Sequence, residues 1–142
     1  LNPVLYHTTY VEFYIEDGFE DSFYLFTNTL DMIPIEEETV EVYVKDTTVD
    51  GADWVLIGQD EGDLNDDNVG NINGESGYDL SGSSVNYETG DITINVNSGL
   101  TENYEDYNVR VYYQTSNNNL ILQGRNDVFY LREIDVTATY AD

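Results

Sequence analysis

The sequence predicts an all-β protein, an antiparallel β-sandwich of the immunoglobulin-like or jelly-roll-like kind with about 8 to 10 strands and one long acidic loop. Three observations carry this. Helical periodicity is nearly absent. Period-two alternation of β-branched and aromatic residues recurs along the whole length. Turn formers punctuate it at short spacing. A barrel is the second choice. At 142 residues the chain reads as one domain, 1–142, long enough to bury a core without disulfides.

The elements follow in order. "TTYVEFYIE" sets Val11, Phe13 and Ile15 against Tyr10, Glu12, Tyr14 and Glu16, and "DGFED" then turns the chain into "SFYLFTN", as in a hairpin. After "MIPIEE", "TVEVYVK" puts Val40, Val42 and Val44 on one face and Thr39, Glu41, Tyr43 and Lys45 on the other, so one face is buried. "ADWVLIGQ" is a strand carrying the only Trp, and "DEGDLNDDNVGNINGESGYDLSG" reads as a long loop. "SSVNYETGDITINV" gives two short strands around a tight turn at Thr89 and Gly90, with Ile92, Ile94 and Val96 alternating with Thr93 and Asn95. "YNVRVYYQT" repeats the scheme with Val109, Val111 and Tyr113, "NLILQG" is a further short strand, and "VFYLREIDVTATY" is one long strand or two broken ones.

Charge narrows the function. Asp plus Glu number 29 against 4 Lys plus Arg, a net charge of −25. Phosphate contacts need cations, so nucleic acid is an unsuitable partner, and anionic membranes are disfavoured for the same reason. No apolar run approaches the roughly 18 residues of a helical membrane span. Self-repulsion on this scale suits a salty medium, divalent cations or a basic partner. Disorder is excluded by 13 Tyr, 5 Phe and the Val and Ile runs. The absence of Cys removes disulfides and thiolate chemistry, and the opening at Leu1 is what a processed or trimmed chain would show.

Catalysis finds no support. His7 is the single histidine and has no Ser or Cys motif to pair with, so a strand-end role is preferred. Paired carboxylates are so abundant that some pair always looks suitable. The chain is therefore not read as an enzyme. A sugar platform built from Tyr is weighed below a protein interface, because Tyr112 and Tyr113, like Phe23 and Tyr24, point to opposite sides of a strand. Arg110 and Arg132 lie within strands and read as cross-strand partners of carboxylates before interface contacts.

The acidic loop is the candidate metal site. Asp63, Asn65 and Asp67 match positions 1, 3 and 5 of a helix-loop-helix calcium loop, but position 6 is Asn68 and position 12 is Gly74, with Glu75 one residue late. A Ca2+ ion here would draw on Asp60, Asp63, Asn65, Asp67, Glu75 and Asp79, or on a neighbouring chain. The competing reading, a solvated turn rich in Asn, Asp and Gly, is given more weight.

"WVLIGQDEGDLNDD", then "GSSVNYETGDITINV" and "YNVRVYYQ", resembles the small β-domains of tailed-bacteriophage virion structural proteins of the baseplate, tail and neck. Upstream, "DGFEDSFYLFTNTLDMIPIEEETVEVYVKD" resembles their opening, so the likeness runs from Glu12 to Gln114. It implies a non-enzymatic component of a tail, baseplate, neck or head decoration, working in the virion by oligomeric packing against copies of itself and other virion proteins. The alternative is an extracellular or cell-surface protein, adhesive or filament-forming and cation-dependent, from a microbe of saline habitat. A sugar-binding module ranks third.

Overall fold

The computed structural model describes the backbone of residues 4–116 and 129–141, and side chains from 12 to 116. Nine strands form in chain order: β1 (Val4–Gly18), β2 (Leu25–Thr29), β3 (Glu41–Asp46), β4 (Val55–Asp60), β5 (Val69–Gly74), β6 (Ser84–Asn86), β7 (Asp91–Asn95), β8 (Tyr107–Gln114) and β9 (Phe129–Ala141). A 3-10 turn at Tyr104–Asp106 precedes β8. The fold is all-β and every pairing is antiparallel, in the order β2-β7-β6-β5-β4-β3-β8-β1-β9.

Alternation sets the buried face as the sequence predicts. Phe13, Ile15, Val40, Val42, Val44, Ile92, Ile94, Val96, Val109, Val111 and Tyr113 all enter one core, Val42, Ile94, Val109, Val111 and Tyr113 at 0 % exposure. Burying a Val, Ile or Phe contributes about 1.5–3 kcal/mol each, and this repeated gain holds the sheet together despite its charge. The turn between β6 and β7 also forms where expected, with Gly90 at φ 82° and its N–H donating to the Asn86 carbonyl. Only glycine fits there comfortably, because a Cβ would run into the Leu30 carbonyl.

Two expectations are corrected. β1 and β2 are not a hairpin: β2 pairs with β7, while β1 lies between β8 and β9. The "DGFED" link instead sends one aromatic side chain into the core. Phe19 is buried there, stacking edge-on against Tyr24 and Tyr107 with centroids 5.6 and 6.4 Å apart. Burial of an aromatic in mid-link pulls the chain to the far half of the sheet. The long acidic loop is not all loop either, because "VGNING" is β5. That strand joins the two halves: Val69, Gly70 and Asn71 pair with β6, and Ile72, Asn73 and Gly74 pair with β4. Of "VFYLREIDVTATY", Phe129 to Tyr140 lie within one long strand, whereas Val128, "NLILQG" and the side chains of His7, Arg125 and Arg132 fall outside the described residues.

Candidate functional site

Asp60 ends β4 and is only 7 % exposed. A buried carboxylate is costly unless hydrogen-bonded. Three donors meet this one: the backbone N–H of Glu38 reaches Oδ2 at 2.9 Å, that of Gly62 reaches Oδ1 at 2.9 Å, and the Tyr87 hydroxyl donates to Oδ1. Asp60 therefore ties the β3 approach, the loop after β4 and the turn after β6 into one knot. It faces inward as a structural acceptor.

The other five residues of the expected cation site fall into two groups. Asp63 accepts from the backbone N–H of Asp67 at 3.0 Å and of Asn68 at 2.8 Å, and Asp67 accepts from Val69 at 3.1 Å. Asn65 is exposed beside them. Asn68 adopts φ 63°, the left-handed conformation its side chain tolerates. Glu75 and Asp79 lie past the other end of β5, roughly 20 Å of extended chain away. There the Glu75 N–H donates to the Ile57 carbonyl at 2.8 Å, and Asp79 accepts from the Ser81 N–H at 3.0 Å and its hydroxyl at 2.6 Å. β5 thus separates the two groups. Among the described residues no cluster of three or more His, Cys, Asp or Glu is placed to hold a metal ion.

These bonds perturb titration. Burial alone would raise Asp63, but the backbone N–H groups of Asp67 and Asn68 hold it below the usual carboxylate range. Ser81, through its hydroxyl and its N–H, does the same for Asp79. Both lowered groups support the fold above the ordinary carboxylate pKa and lose that support as pH falls below it. Tyr87 moves the other way: burial first, then its bond to Asp60, push the phenol well above its ordinary value. Its contribution is complete below about pH 10 and lost as pH rises beyond. The melting temperature of the native chain should therefore fall more steeply between about pH 9 and 11 than that of Tyr87→Phe, which lacks the ionisable group. Parallel curves would remove Tyr87 as the source.

The second gathering lies on the outer face of β1, β8 and β3 and was not legible as a unit in the sequence. The Arg110 guanidinium lies 4.0 Å from the Trp54 ring centroid and 4.4 Å from that of Tyr14. It bonds Glu16, its register partner across β1 and β8, at 2.7 Å, and the Tyr112 hydroxyl at 3.0 Å. The expected cross-strand pair of Arg110 is thus formed within the chain. Tyr112 packs edge-on against Tyr14 and Tyr43, centroids 5.1 and 5.3 Å away, and Lys45 stands 5.9 Å from Trp54. Both cations whose side chains are described, Lys45 and Arg110, therefore sit on this one face.

No family model matches the chain, and neither does any curated protein or solved structure. Function rests on the residues themselves.

Chemically the face is a rigid aromatic and charged platform, with Trp54, Tyr14 and Tyr43 half-buried and presented to the outside. The cation–π contacts of Arg110 are worth about 0.5–2 kcal/mol each, and its partly exposed ion pair adds up to about 1 kcal/mol. Arg110→Met keeps the aliphatic stem and should destabilise the protein by about 2 kcal/mol while shifting Trp54 emission. Unchanged emission would show that the guanidinium does not cover the indole.

Proposed function

We propose that this protein is a non-enzymatic structural component of a tailed-phage virion, located in the tail, baseplate, neck or head decoration and acting by packing among protein neighbours. The observation that carries the reading is the outer face around Arg110. Trp, Tyr and Arg are the residue types that dominate binding energy at protein interfaces, and here they are held in fixed geometry by one another. The resemblance of Glu12 to Gln114 to small virion β-domains, read from the sequence, is what supports the choice of a particle. Mass spectrometry of density-purified particles should find the chain at stoichiometric abundance. Recovery only from a cell surface or culture medium, with particles lacking it, would overturn the reading and favour the surface protein to which the net charge of −25 is also suited.

A cation in the loop belongs to this proposal as an accessory. Its ligands would be Asp63, Asn65 and Asp67, completed by a neighbouring chain. Calcium at about a hundred times its Kd would then add roughly 2.7 kcal/mol to the stability of the assembled protein. Melting curves in millimolar calcium and in EGTA, at matched ionic strength, should differ by several degrees; superimposed curves would remove the ion.

A further inference from the structure

β1 and β9 extend past the rest of the sheet. β8 pairs with β1 only from Glu12 to Gly18, whereas β9 pairs with it from Val4 to Ile15. Residues 4–11 of β1 and 134–141 of β9 thus form a two-stranded ribbon, eight register pairs from Val4↔Ala141 to Val11↔Ile134, with no third strand beside it among the described residues. It is about 27 Å long at 3.4 Å per residue. Two-stranded ribbons are marginal in water; a third strand or a packed face stabilises them.

The composition of the ribbon sets it apart. Its sixteen positions read "VLYHTTYV" and "IDVTATYA", with Asp135 the only Asp, Glu, Lys or Arg, whereas the chain average of 23 % charged residues would place about four there. Val, Ile, Thr and Tyr, the residues favoured in strands, fill eleven of the sixteen. Natural edge strands carry charge, proline or bulges that block pairing with another chain. Along 4–11 and 134–141 there is no proline, and the one bulge of the β1–β9 ladder lies outside, between Glu12 and Phe13.

We infer that this ribbon is a self-association element, pairing through the outer edge of β9 with the same edge of a second copy of the chain. Charge selects that occupant. With a net −25 on each copy, approach through the acidic turns sets carboxylate against carboxylate, while the ribbon is the stretch where two copies meet without that repulsion. Geometry agrees. Among the described residues β9 ends the sheet, so antiparallel pairing of two β9 edges about a twofold axis is self-complementary and turns two ribbons into four strands. The inference deepens the proposed role in packing among copies and rests on that reading.

Two measurements on the full chain test it. Sedimentation velocity from about 1 μM to about 1 mM should show a monomer-to-dimer transition whose Kd falls at least about tenfold between low salt and 0.5 M NaCl, as body repulsion is screened. Thr137→Glu, which adds a charge near the middle of the β9 segment, should raise Kd at least about tenfold. Hydrogen exchange on the unmodified chain should show amide protection at residues 134–141 rising with protein concentration. A chain that stays monomeric throughout, or dimers whose concentration-dependent protection lies elsewhere, overturns the ribbon assignment. If such a chain is nevertheless found in particles, the virion reading survives and only the ribbon fails; absence from particles with intact ribbon dimers fails the virion reading alone.

Discussion

Gly70→Ala is expected to destabilise the protein by about 3 kcal/mol, more than most core truncations of similar size. Gly70 is buried in β5, and a Cβ built on it would overlap the Tyr87 hydroxyl and Asp60 Oδ1, with Tyr87 Cζ at 2.7 Å. Those atoms cannot retreat cheaply. Asp60 is held by two backbone N–H groups, and Tyr87 is 4 % exposed and bonded to that same carboxylate. The methyl group would therefore break a charge-assisted bond inside the knot, leaving buried polar groups unpaired at about 1–3 kcal/mol each. Asp60→Ala should produce a loss of similar size by the opposite route, removing the acceptor and stranding three donors. Gly18→Ala is the control: nothing lies within 4 Å of its Cβ, so it should leave the denaturation midpoint within about 0.5 kcal/mol of the native chain. Chemical denaturation of the three variants decides the matter. A Gly70→Ala protein that unfolds like Gly18→Ala would mean that β5 does not press against Asp60 and Tyr87.

That knot also shows where sequence reading stops. The alternation of Val40, Val42 and Val44, of Ile92, Ile94 and Val96, and of Val109, Val111 and Tyr113 is a local property of a half-buried strand, so those faces were legible residue by residue. "VGNING" was not, because glycine and asparagine are turn formers by propensity. Its glycines serve packing instead: Gly70 makes room for Asp60 and Tyr87, and Gly74 for the Tyr78 carbonyl. The signal available was small: Val69 and Ile72 enclose a Gly–Asn pair, whose strand character depends on neighbours far along the chain. Likewise, Asp60 is the one buried acid among the described residues, and nothing local to it distinguishes it from Asp63. The aromatic face was hidden for the same reason. Tyr14, Arg110 and Trp54, which immediately precedes β4, come together only through the order β4-β3-β8-β1, and strand order is a property of long-range pairing. The loop's partial calcium pattern was legible and its division by β5 was not.

The net charge gives the second large effect: raising NaCl from about 10 mM to 0.1 M should increase the melting temperature by roughly 10 °C. A net charge of −25 spread over 8495 Å² of accessible surface leaves one excess charge per roughly 340 Å², a mean spacing of about 18 Å. At that distance two carboxylates in water repel by roughly 0.2 kcal/mol, and each has several such neighbours, so the native state carries repulsion on the order of 10 kcal/mol before screening. The Debye length is about 30 Å at 10 mM and about 10 Å at 0.1 M, so the mean spacing lies inside the screening length in the first case and outside it in the second. Most of the repulsion is therefore relieved within that one decade, and salt above about 0.3 M should add little. The expanded chain suffers the same repulsion over longer distances, which is why a few kcal/mol of net stabilisation, and not the full native-state figure, reaches the melting temperature. Sodium and potassium should act alike at equal ionic strength. A melting temperature flat from 10 mM to 0.1 M would mean that the carboxylates are neutralised before the salt arrives, by tightly held ions or by proton uptake on folding.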